Sequence, residues 1–255
     1  MAHNLATTSG QAAMMFYGQK PWHGLGVELN HPATAAEAIE AAGSGYGVDL
    51  VPLFTQNGDP IPRRKGVIRT DTNQVLGTVG PGYTPIQNAE CFGFLDAIVA
   101  DGGLHYHTAG ALGRGEKIWM LAKLPGHIRV KDTDDITEKY LLLHNSHDGT
   151  SCLRVHFTPI RVVCQNTLSI AERNARGQGI SIRHRGDLSA RVHEAQKVLG
   201  LANRFYEELQ PKIDRLAGYY PTADQLHGFF GALYPDPVDG NATRAHTQLG
   251  LPSMP

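Results

Sequence analysis

The sequence contains few cysteines and lacks long apolar runs. Three of its 255 residues are cysteine (Cys91, Cys152 and Cys164), and none belongs to a CxxC pair. This argues against a disulfide framework and favours a reduced, intracellular protein. No stretch approaches the length of a membrane span, which is about 18 consecutive apolar residues, and no basic flank precedes an apolar run near the start. We therefore expect a cytoplasmic protein that does not span a membrane.

The chain is also nearly neutral, and it lacks common catalytic motifs. The formal net charge is −1, so the whole-chain balance does not indicate a polyanionic partner. The sequence has no Walker lysine, dinucleotide fingerprint, HExxH pair or nucleophile elbow. The glycine-rich segment 110–115 lacks the helix and the Lys-Ser/Thr of a phosphate loop, so it predicts a hairpin tip. The sequence therefore indicates neither an enzyme nor a cofactor.

Turn-forming residues, in contrast, are abundant. The chain has 29 glycines and 15 prolines, which favours a strand-rich fold over a helical bundle. Strand-like segments come in groups, without the regular alternation with helices that builds a parallel sheet. These patterns predict an α+β fold with an antiparallel meander sheet, helices packed on it and a helical C-terminal part. The predicted domains are a flexible arm at 1–20, one α+β domain at 21–234 that is helical from about 187, and a flexible tail at 235–255.

Hydrophobic periodicity and turn residues predict most of the individual elements. The predicted strands occupy residues 47–55, 66–70, 75–79, 104–112, 117–124 and 127–131. The predicted helices occupy residues 35–42, with Thr34 as the cap, residues 85–101, a long stretch ending near Ala217, and a last segment between its cap Thr222 and Tyr234.

The segment 139–176 is the most informative part of the chain. An apolar run at 140–143, a turn at 145–149 and a returning run at 152–157 form the pattern of a β-hairpin, with an Asp-Gly pair in the turn. Residues 161–176 then show helical spacing. The predicted buried face of this helix consists of Ile160, Val163, Cys164, Thr167, Leu168 and Ala171.

A cluster of cations follows the hairpin. Residues 151–200 contain eight cations and three anions, although the whole chain is nearly neutral, and seven of the eight are arginines. Arginine suits bidentate contact with phosphate. The alternative is that Arg161 pairs with a buried carboxylate and that the others form an ordinary helix surface. The predicted nucleic-acid-binding residues are Arg154, Arg161, Arg173, Arg176, Arg183 and Arg185, with Lys117 and Lys139 as additions.

Two other segments allow both a structural and a functional interpretation. Trp22, in a Trp-His-Gly-Leu-Gly turn, either anchors the N-terminal arm or belongs to a ligand-contacting loop. Arg63, Arg64 and Lys65 form either a solvated loop or part of a phosphate-tracking surface. The sequence leaves both alternatives open.

The hairpin turn also offers atoms that could bind a metal ion. His144, His147 and Asp148 carry suitable ligand atoms, but zinc-finger and HExxH spacings are absent. Strand alternation places His144 and His147 on opposite faces unless the turn folds them together. We therefore predict no metal site and keep these three residues as an alternative.

Several motifs together resemble a known family. They are Trp22-His23-Gly-Leu-Gly, Gly82-Tyr83 with Gln87-Asn88, Ala109–Leu112 followed by Gly115, the Lys117–Leu124 run, Asn145-Ser146-His147-Asp148-Gly149, and Arg161-Val-Val-Cys164-Gln-Asn166-Thr-Leu. Over roughly residues 15 to 235 the chain resembles the phage/plasmid-like proteins grouped as domain of unknown function 932. The resemblance implies a protein encoded by a phage or plasmid in a bacterial host cell. The family-motif residues it marks are Trp22, His23, Asn145, His147, Asp148, Arg161, Cys164 and Asn166.

A looser resemblance concerns the order of elements. A helix, an antiparallel meander and a basic helix at 85–176 are similar to the order in ring-forming, Rad-type single-strand annealing proteins. That resemblance implies a homo-oligomer, in the form of a ring, that binds single-stranded DNA.

Together these observations predict a function. We expect a non-catalytic single-stranded DNA-binding protein that promotes strand annealing or recombination, with Phe157 and Tyr140 as candidates for stacking on bases. The alternatives are a metal-dependent hydrolase built around the Asn-Ser-His-Asp-Gly turn and a protein-binding module of a mobile element.

Overall fold

Long runs of buried residues form the strands of a sheet that is covered on both faces. The structure, a computed structural model, describes residues 2–102, 104–131, 133–175, 179–185 and 195–234. In chain order the strands are β1 (Thr7–Thr8), β2 (Gln11–Ala12), β3 (Met14–Tyr17), β4 (Val27–Leu29), β5 (Val48–Phe54), β6 (Pro60–Arg69), β7 (Val75–Val79), β8 (His105–Leu112), β9 (Lys117–Arg129), β10 (Ile136–Ser146), β11 (Leu153–Thr158) and β12 (Ile180–Ile182). The helices are α1 (Ala35–Ala41), α2 (Asn88–Gly102), α3 (Gln165–Asn174), α4 (Ala195–Ala217) and α5 (Ala223–Leu233).

The described strands form three sheets. The large sheet has seven strands in the order β12-β11-β10-β9-β8-β3-β4, and every pair in it is antiparallel except β3 with β4. A second sheet joins β5, β6 and β7 in an antiparallel meander, and β1 pairs with β2. The predicted α+β class with an antiparallel meander is confirmed.

Helices cover the two faces of the large sheet. On one face, α1 and α2 lie against β8, β9 and β10, and the Tyr106 hydroxyl donates to the Asp96 carboxylate of α2 at 3.1 Å. On the opposite face, Leu168 and Ala171 of α3 join a buried apolar cluster with side chains of the sheet. The cluster consists of Leu5, Met14, Phe16, Leu112, Trp119, Leu121, Tyr140, Leu142, Val162, Val163, Cys164, Leu168 and Ala171.

Helix α3 is shorter than predicted. It begins at Gln165. The Thr167 hydroxyl accepts hydrogen bonds from the backbone N–H groups of Val163 and Cys164 at 2.9 and 3.0 Å. These two bonds hold the backbone before Gln165 in an extended conformation, so the helix does not start earlier. Arg161 therefore precedes the helix, which corrects the predicted start at that residue. The helix ends at Asn174.

Other boundaries also differ from the prediction. Strand β9 runs through Pro125 and Gly126 as one strand and so joins the two strands predicted at 117–124 and 127–131. A register shift between Glu138 and Tyr140 of its partner β10 accommodates this region. Part of the predicted flexible arm belongs to the large sheet, because the fully buried Met14 and Met15 lie in β3.

The C-terminal part of the chain is helical, as predicted. The chain divides into two compact units, the first ending at Lys212 and the second beginning at Ile213. In the second unit, the Thr222 side chain accepts a hydrogen bond from Gln225 N–H and caps α5, as the sequence predicted. The predicted start of the long helix near 187 and the predicted tail at 235–255 lie outside the described residues. None of the described helices has the length and apolar character to cross a membrane.

A glycine allows the small sheet to lie against the β10–β11 turn. A Cβ added to Gly77 of β7 would lie 2.5 Å from Asp148 Cα and 2.9 Å from Asp148 O, well inside van der Waals contact. Val79 of the same strand lies close to Gly149 of the turn. The absence of a side chain at Gly77 thus sets the distance between the two sheets at this point.

Replacing Gly77 should destabilise the protein. We expect Gly77→Ala to lower the free energy of unfolding by about 1–3 kcal/mol, because the new methyl group meets backbone atoms that cannot rotate away. Gly80→Ala is the matched control, since a Cβ there meets nothing within 4 Å, and it should change stability by less than about 0.5 kcal/mol. Urea unfolding measures both, and equal stability of the two variants would contradict the assigned contact.

Candidate nucleic-acid interface

The Asn-Ser-His-Asp-Gly turn is closed by the Asp148 carboxylate. Asp148 Oδ1 accepts hydrogen bonds from the Ser146 hydroxyl, from Thr150 N–H at 2.8 Å and from the Thr150 hydroxyl at 2.6 Å. Burial would raise the pKa of this carboxyl, but the donors of Ser146 and Thr150 outweigh it and hold the pKa below its ordinary value. The carboxylate is thus committed to the geometry of the turn.

His147 connects the same turn to the start of α2. Its Nε2 lies 2.7 Å from Oδ1 of Asn88, whose Nδ2 donates to the carbonyls of Ser44 and Tyr46. Because Asn88 Oδ1 can only accept, Nε2 of His147 carries the proton. His147 is fully buried, and burial lowers its pKa to about 4, so the ring is neutral at physiological pH. His147 therefore serves as a structural link between β10 and α2.

The three residues of the metal alternative do not converge. His144 turns to α3, where its Nδ1 lies 3.2 Å from Oε1 of Glu172, while His147 turns to α2 on the other face of the sheet. In the described part of the chain, no group of three His, Cys, Asp or Glu side chains could hold a metal ion. The alternation expected from the sequence thus separates the two histidines.

Arginines from separate parts of the chain line one open groove beside this turn. The groove has a volume of about 650 Å³ and is lined by sixteen residues, five of them arginines and none an aspartate or glutamate. We call it the basic groove. Its lining residues are Arg63, Arg64, Thr78, Val79, Gly80, Pro81, Gly82, Tyr83, Gly149, Thr150, Ser151, Cys152, Arg154, Arg183, His184 and Arg185.

A bulge in β6 presents two consecutive arginines to the basic groove. Side chains of adjacent strand residues ordinarily point to opposite faces. Arg63, however, has a φ of 59°, in the left-handed region, and it lies where the pairing of β5 with β6 shifts between Pro52 and Phe54. The bulge breaks the alternation, so that Arg63 and Arg64 line the same groove. The sequence left the role of Arg63 and Arg64 open, and their run of adjacent cations was the available signal.

The other three arginines come from the edge of the large sheet. Arg154 lies on β11 opposite Ser181 of β12, and Arg183 and Arg185 follow directly after β12. All three side chains are exposed, as are those of Arg63 and Arg64. None of the five forms an ion pair with a described carboxylate. The basic groove therefore carries uncompensated positive charge.

His184, between two of these arginines, is buried. Its ring stacks on the ring of Tyr83 with centroids 4.6 Å apart and an angle of 15° between the planes. The backbone of the same residue accepts a hydrogen bond from Thr84 N–H at 2.9 Å. These contacts fix the segment 183–185 against the segment 82–84, so Arg183 and Arg185 both face outward.

Arg161 lies outside the basic groove. Its guanidinium is half-buried and donates to the Gln19 carbonyl, and the alternative pairing with a buried carboxylate is not found among the described residues. Burial lowers the pKa of this guanidinium. Arg161 thus fastens the residues after β3 to the segment before α3.

The remaining predicted binding residues also lie outside the groove or outside the described residues. Arg173 is exposed on α3 and donates from Nε to the Ser169 carbonyl at 3.3 Å. Lys139 Nζ lies 5.2 Å from the ring centroid of Tyr206. Lys117, at the start of β9, is paired with Ser146 of β10. Arg176 falls outside the described residues.

The family-motif residues that are buried or half-buried have structural contacts. Cys164 is fully buried at the cap of α3, and Asn145 is buried with its Nδ2 3.4 Å from the Ile86 carbonyl. His23 accepts from Leu25 N–H through Nδ1 and donates from Nε2 to the Val163 carbonyl at 3.1 Å. Asn166 is exposed on α3, and Trp22 is 71% exposed.

The residues predicted to stack on bases are not accessible. Phe157 and Tyr140 are 5% and 3% exposed, because both belong to the packed interior of the large sheet. Tyr83 is the aromatic residue that lines the basic groove, and one face of its ring is covered by His184.

Buried histidines make stability depend on pH. Burial lowers the pKa values of His107 and His144 to about 3 and those of His147 and His156 to about 4, below the ordinary 6.5. Between about pH 4 and 6.5 the unfolded chain therefore binds more protons than the folded chain. The stabilising contribution of these histidines should be fully present above about pH 6.5. As the pH falls below that value, the free energy of unfolding should decrease by up to about 1.4 kcal/mol per pH unit for each histidine.

Urea unfolding at several pH values measures this slope. His147→Gln should reduce the slope of the free energy of unfolding against pH by the contribution of about one proton. Replacement of the exposed His127 by glutamine should leave that slope unchanged. A slope that is equally steep in both variants would contradict the neutral state assigned to His147.

Comparison with known proteins places the chain in a family. The family described as "Domain of unknown function (DUF932)" matches residues 75–251, which include β7, the Asn-Ser-His-Asp-Gly turn and three of the groove arginines. No curated protein and no solved structure matches the chain. Because the match covers more than half of the 255 residues, the chain belongs to the family of domain of unknown function DUF932.

Proposed function

We propose that this chain binds single-stranded DNA through the basic groove, without catalysing a reaction on it. The observation that carries the proposal is the convergence of Arg63, Arg64, Arg154, Arg183 and Arg185 on one groove whose described lining includes no carboxylate. Guanidinium groups donate in a planar fork that matches phosphate oxygens. A negatively charged backbone that enters the groove would therefore meet only favourable charges.

The size of the groove favours a single strand over a duplex. A volume of about 650 Å³ lies within the range of about 300–1,000 Å³ for small-ligand pockets. It has room for a short stretch of backbone, whereas a duplex would have to lie across the rim. The uncompensated charge also predicts an affinity that decreases steeply with salt, since each contact with phosphate releases counterions.

Annealing and oligomer formation are parts of the same proposal. A protein that holds two strands by their phosphates leaves the bases free to pair, which is the requirement for annealing. The few accessible aromatic rings at the groove agree with backbone contact rather than base recognition. We propose a homo-oligomer, in which copies of the groove would follow one another along the strand.

Binding of a labelled single strand of about 30 nucleotides across a salt series tests the proposal. We expect the double variant Arg154→Gln/Arg183→Gln to bind at least about tenfold more weakly than the wild type. The slope of log affinity against log salt should also become shallower by about 0.7 for each lost phosphate contact. Arg173→Gln is the matched control, since Arg173 is an exposed arginine outside the groove, and it should bind like the wild type.

Two further measurements complete the test. The mass of the particle in solution reports the oligomer, and the rate of pairing of two complementary strands reports annealing. Absence of binding at low salt, or equal loss of affinity in the groove variant and in Arg173→Gln, would overturn the proposal.

A further inference from the structure

The basic groove holds more positive charge than an internal stretch of DNA can neutralise. Five guanidiniums line a volume that accommodates about one or two nucleotides. Each internal phosphodiester contributes one negative charge. Two such groups would leave most of the positive charge unbalanced, and like charges at close range repel one another. The charge of the groove is therefore matched better by a ligand that concentrates negative charge in a small volume.

A terminal phosphate in place of one of the two phosphodiesters brings the charges closer to balance, because it raises the negative charge of the two groups from about −2 to about −2.5 to −3. A phosphomonoester carries about −1.5 to −2 charges at neutral pH and presents three acceptor oxygens. The arginines that line the groove come from separate elements, Arg63 and Arg64 from the bulge of β6 and Arg183 from the residue after β12. The hydroxyl groups of Thr150 and Ser151 belong to residues that line it as well. Donors from several separate elements suit a group that presents three acceptor oxygens.

The backbone of Arg63 supports a specific role for the bulge. A left-handed φ of 59° is uncommon for a residue other than glycine and is energetically unfavourable. In a regular strand, only one of Arg63 and Arg64 would face the groove. The bulge raises the local charge by placing both there, which a surface that only tracks a diffuse backbone does not need.

We propose that the basic groove binds the terminal phosphate of a DNA single strand, an inference that rests on the proposed function and specifies which part of the strand the groove holds. The phosphate lies among the guanidiniums of Arg63, Arg64 and Arg183, and the adjacent nucleotide extends toward Arg154 and Arg185. Recognition depends on the charge of the end and not on the identity of its base.

Competition among three strands of identical sequence tests the inference. One strand carries a 5′-phosphate, one carries a 3′-phosphate and one has hydroxyl groups at both ends. At one fixed salt concentration, a phosphorylated strand should bind at least about tenfold more tightly than the hydroxyl strand, because charge-assisted hydrogen bonds are added. The phosphorylated end that shows the preference identifies the polarity of the bound strand.

Substitution locates the preference in the groove. Arg63→Asn removes the guanidinium but keeps a residue that tolerates the left-handed backbone, and Arg183→Gln removes the charge contributed by the segment after β12. Both should reduce the preference for the phosphorylated end to about twofold or less. Arg173→Gln, an arginine outside the groove, should retain the full preference.

The outcomes separate this inference from the proposed function. Equal affinity for all three strands, lost in the groove variants, would overturn end recognition and leave single-strand binding in place. Failure of the wild type to bind any of the three strands would overturn both. A preference that persists in Arg63→Asn and Arg183→Gln would also overturn the inference, because the end would then bind elsewhere.

Discussion

The close approach of Gly77 to the backbone of Asp148 is the interaction on which the basic groove depends. It brings the three-stranded sheet against the β10–β11 turn, and the bulge with Arg63 and Arg64 belongs to that small sheet. The turn itself is closed by the Asp148 carboxylate and tied to α2 through His147 and Asn88. The turn beside the groove is thus held by contacts that use none of the groove arginines, which leaves these arginines free for a ligand.

The distribution of charge, rather than its total, defines the functional surface. A chain with a net charge of −1 nevertheless has a groove with five arginines and no described acidic lining residue. Elsewhere, cations are used for structure: Arg69 forms a two-point ion pair with Asp71 and lies 3.8 Å over the ring of Tyr46. Arg161 is also tied to the fold, through the Gln19 carbonyl, whereas none of the five groove arginines forms an ion pair with a described carboxylate, and this makes them the candidate ligand contacts.

Sequence patterns predicted local structure well and the site only in part. Thr34 and Thr222 were recognised as caps because a capping hydroxyl acts within one helical turn. The cation cluster predicted after the hairpin included Arg154, Arg183 and Arg185, which the structure brings together in the groove. Arg161 and Arg173 were grouped with these three arginines because they are close in sequence. In the fold, however, Arg161 lies in a loop before α3 and Arg173 lies on α3, so both lie outside the groove.

By itself, the sequence determined the fold class, the hairpin, the helix caps and a local excess of arginine, because turn residues and hydrophobic periodicity act over a few positions. Only the tertiary structure decided which arginines share a surface. Arg63 and Arg64 lie about 120 positions before Arg183, and no local propensity connects them. They meet because Gly77 leaves room for one sheet to lie against the turn of the other, an approach of one backbone to another that hydrophobic pattern and charge do not encode.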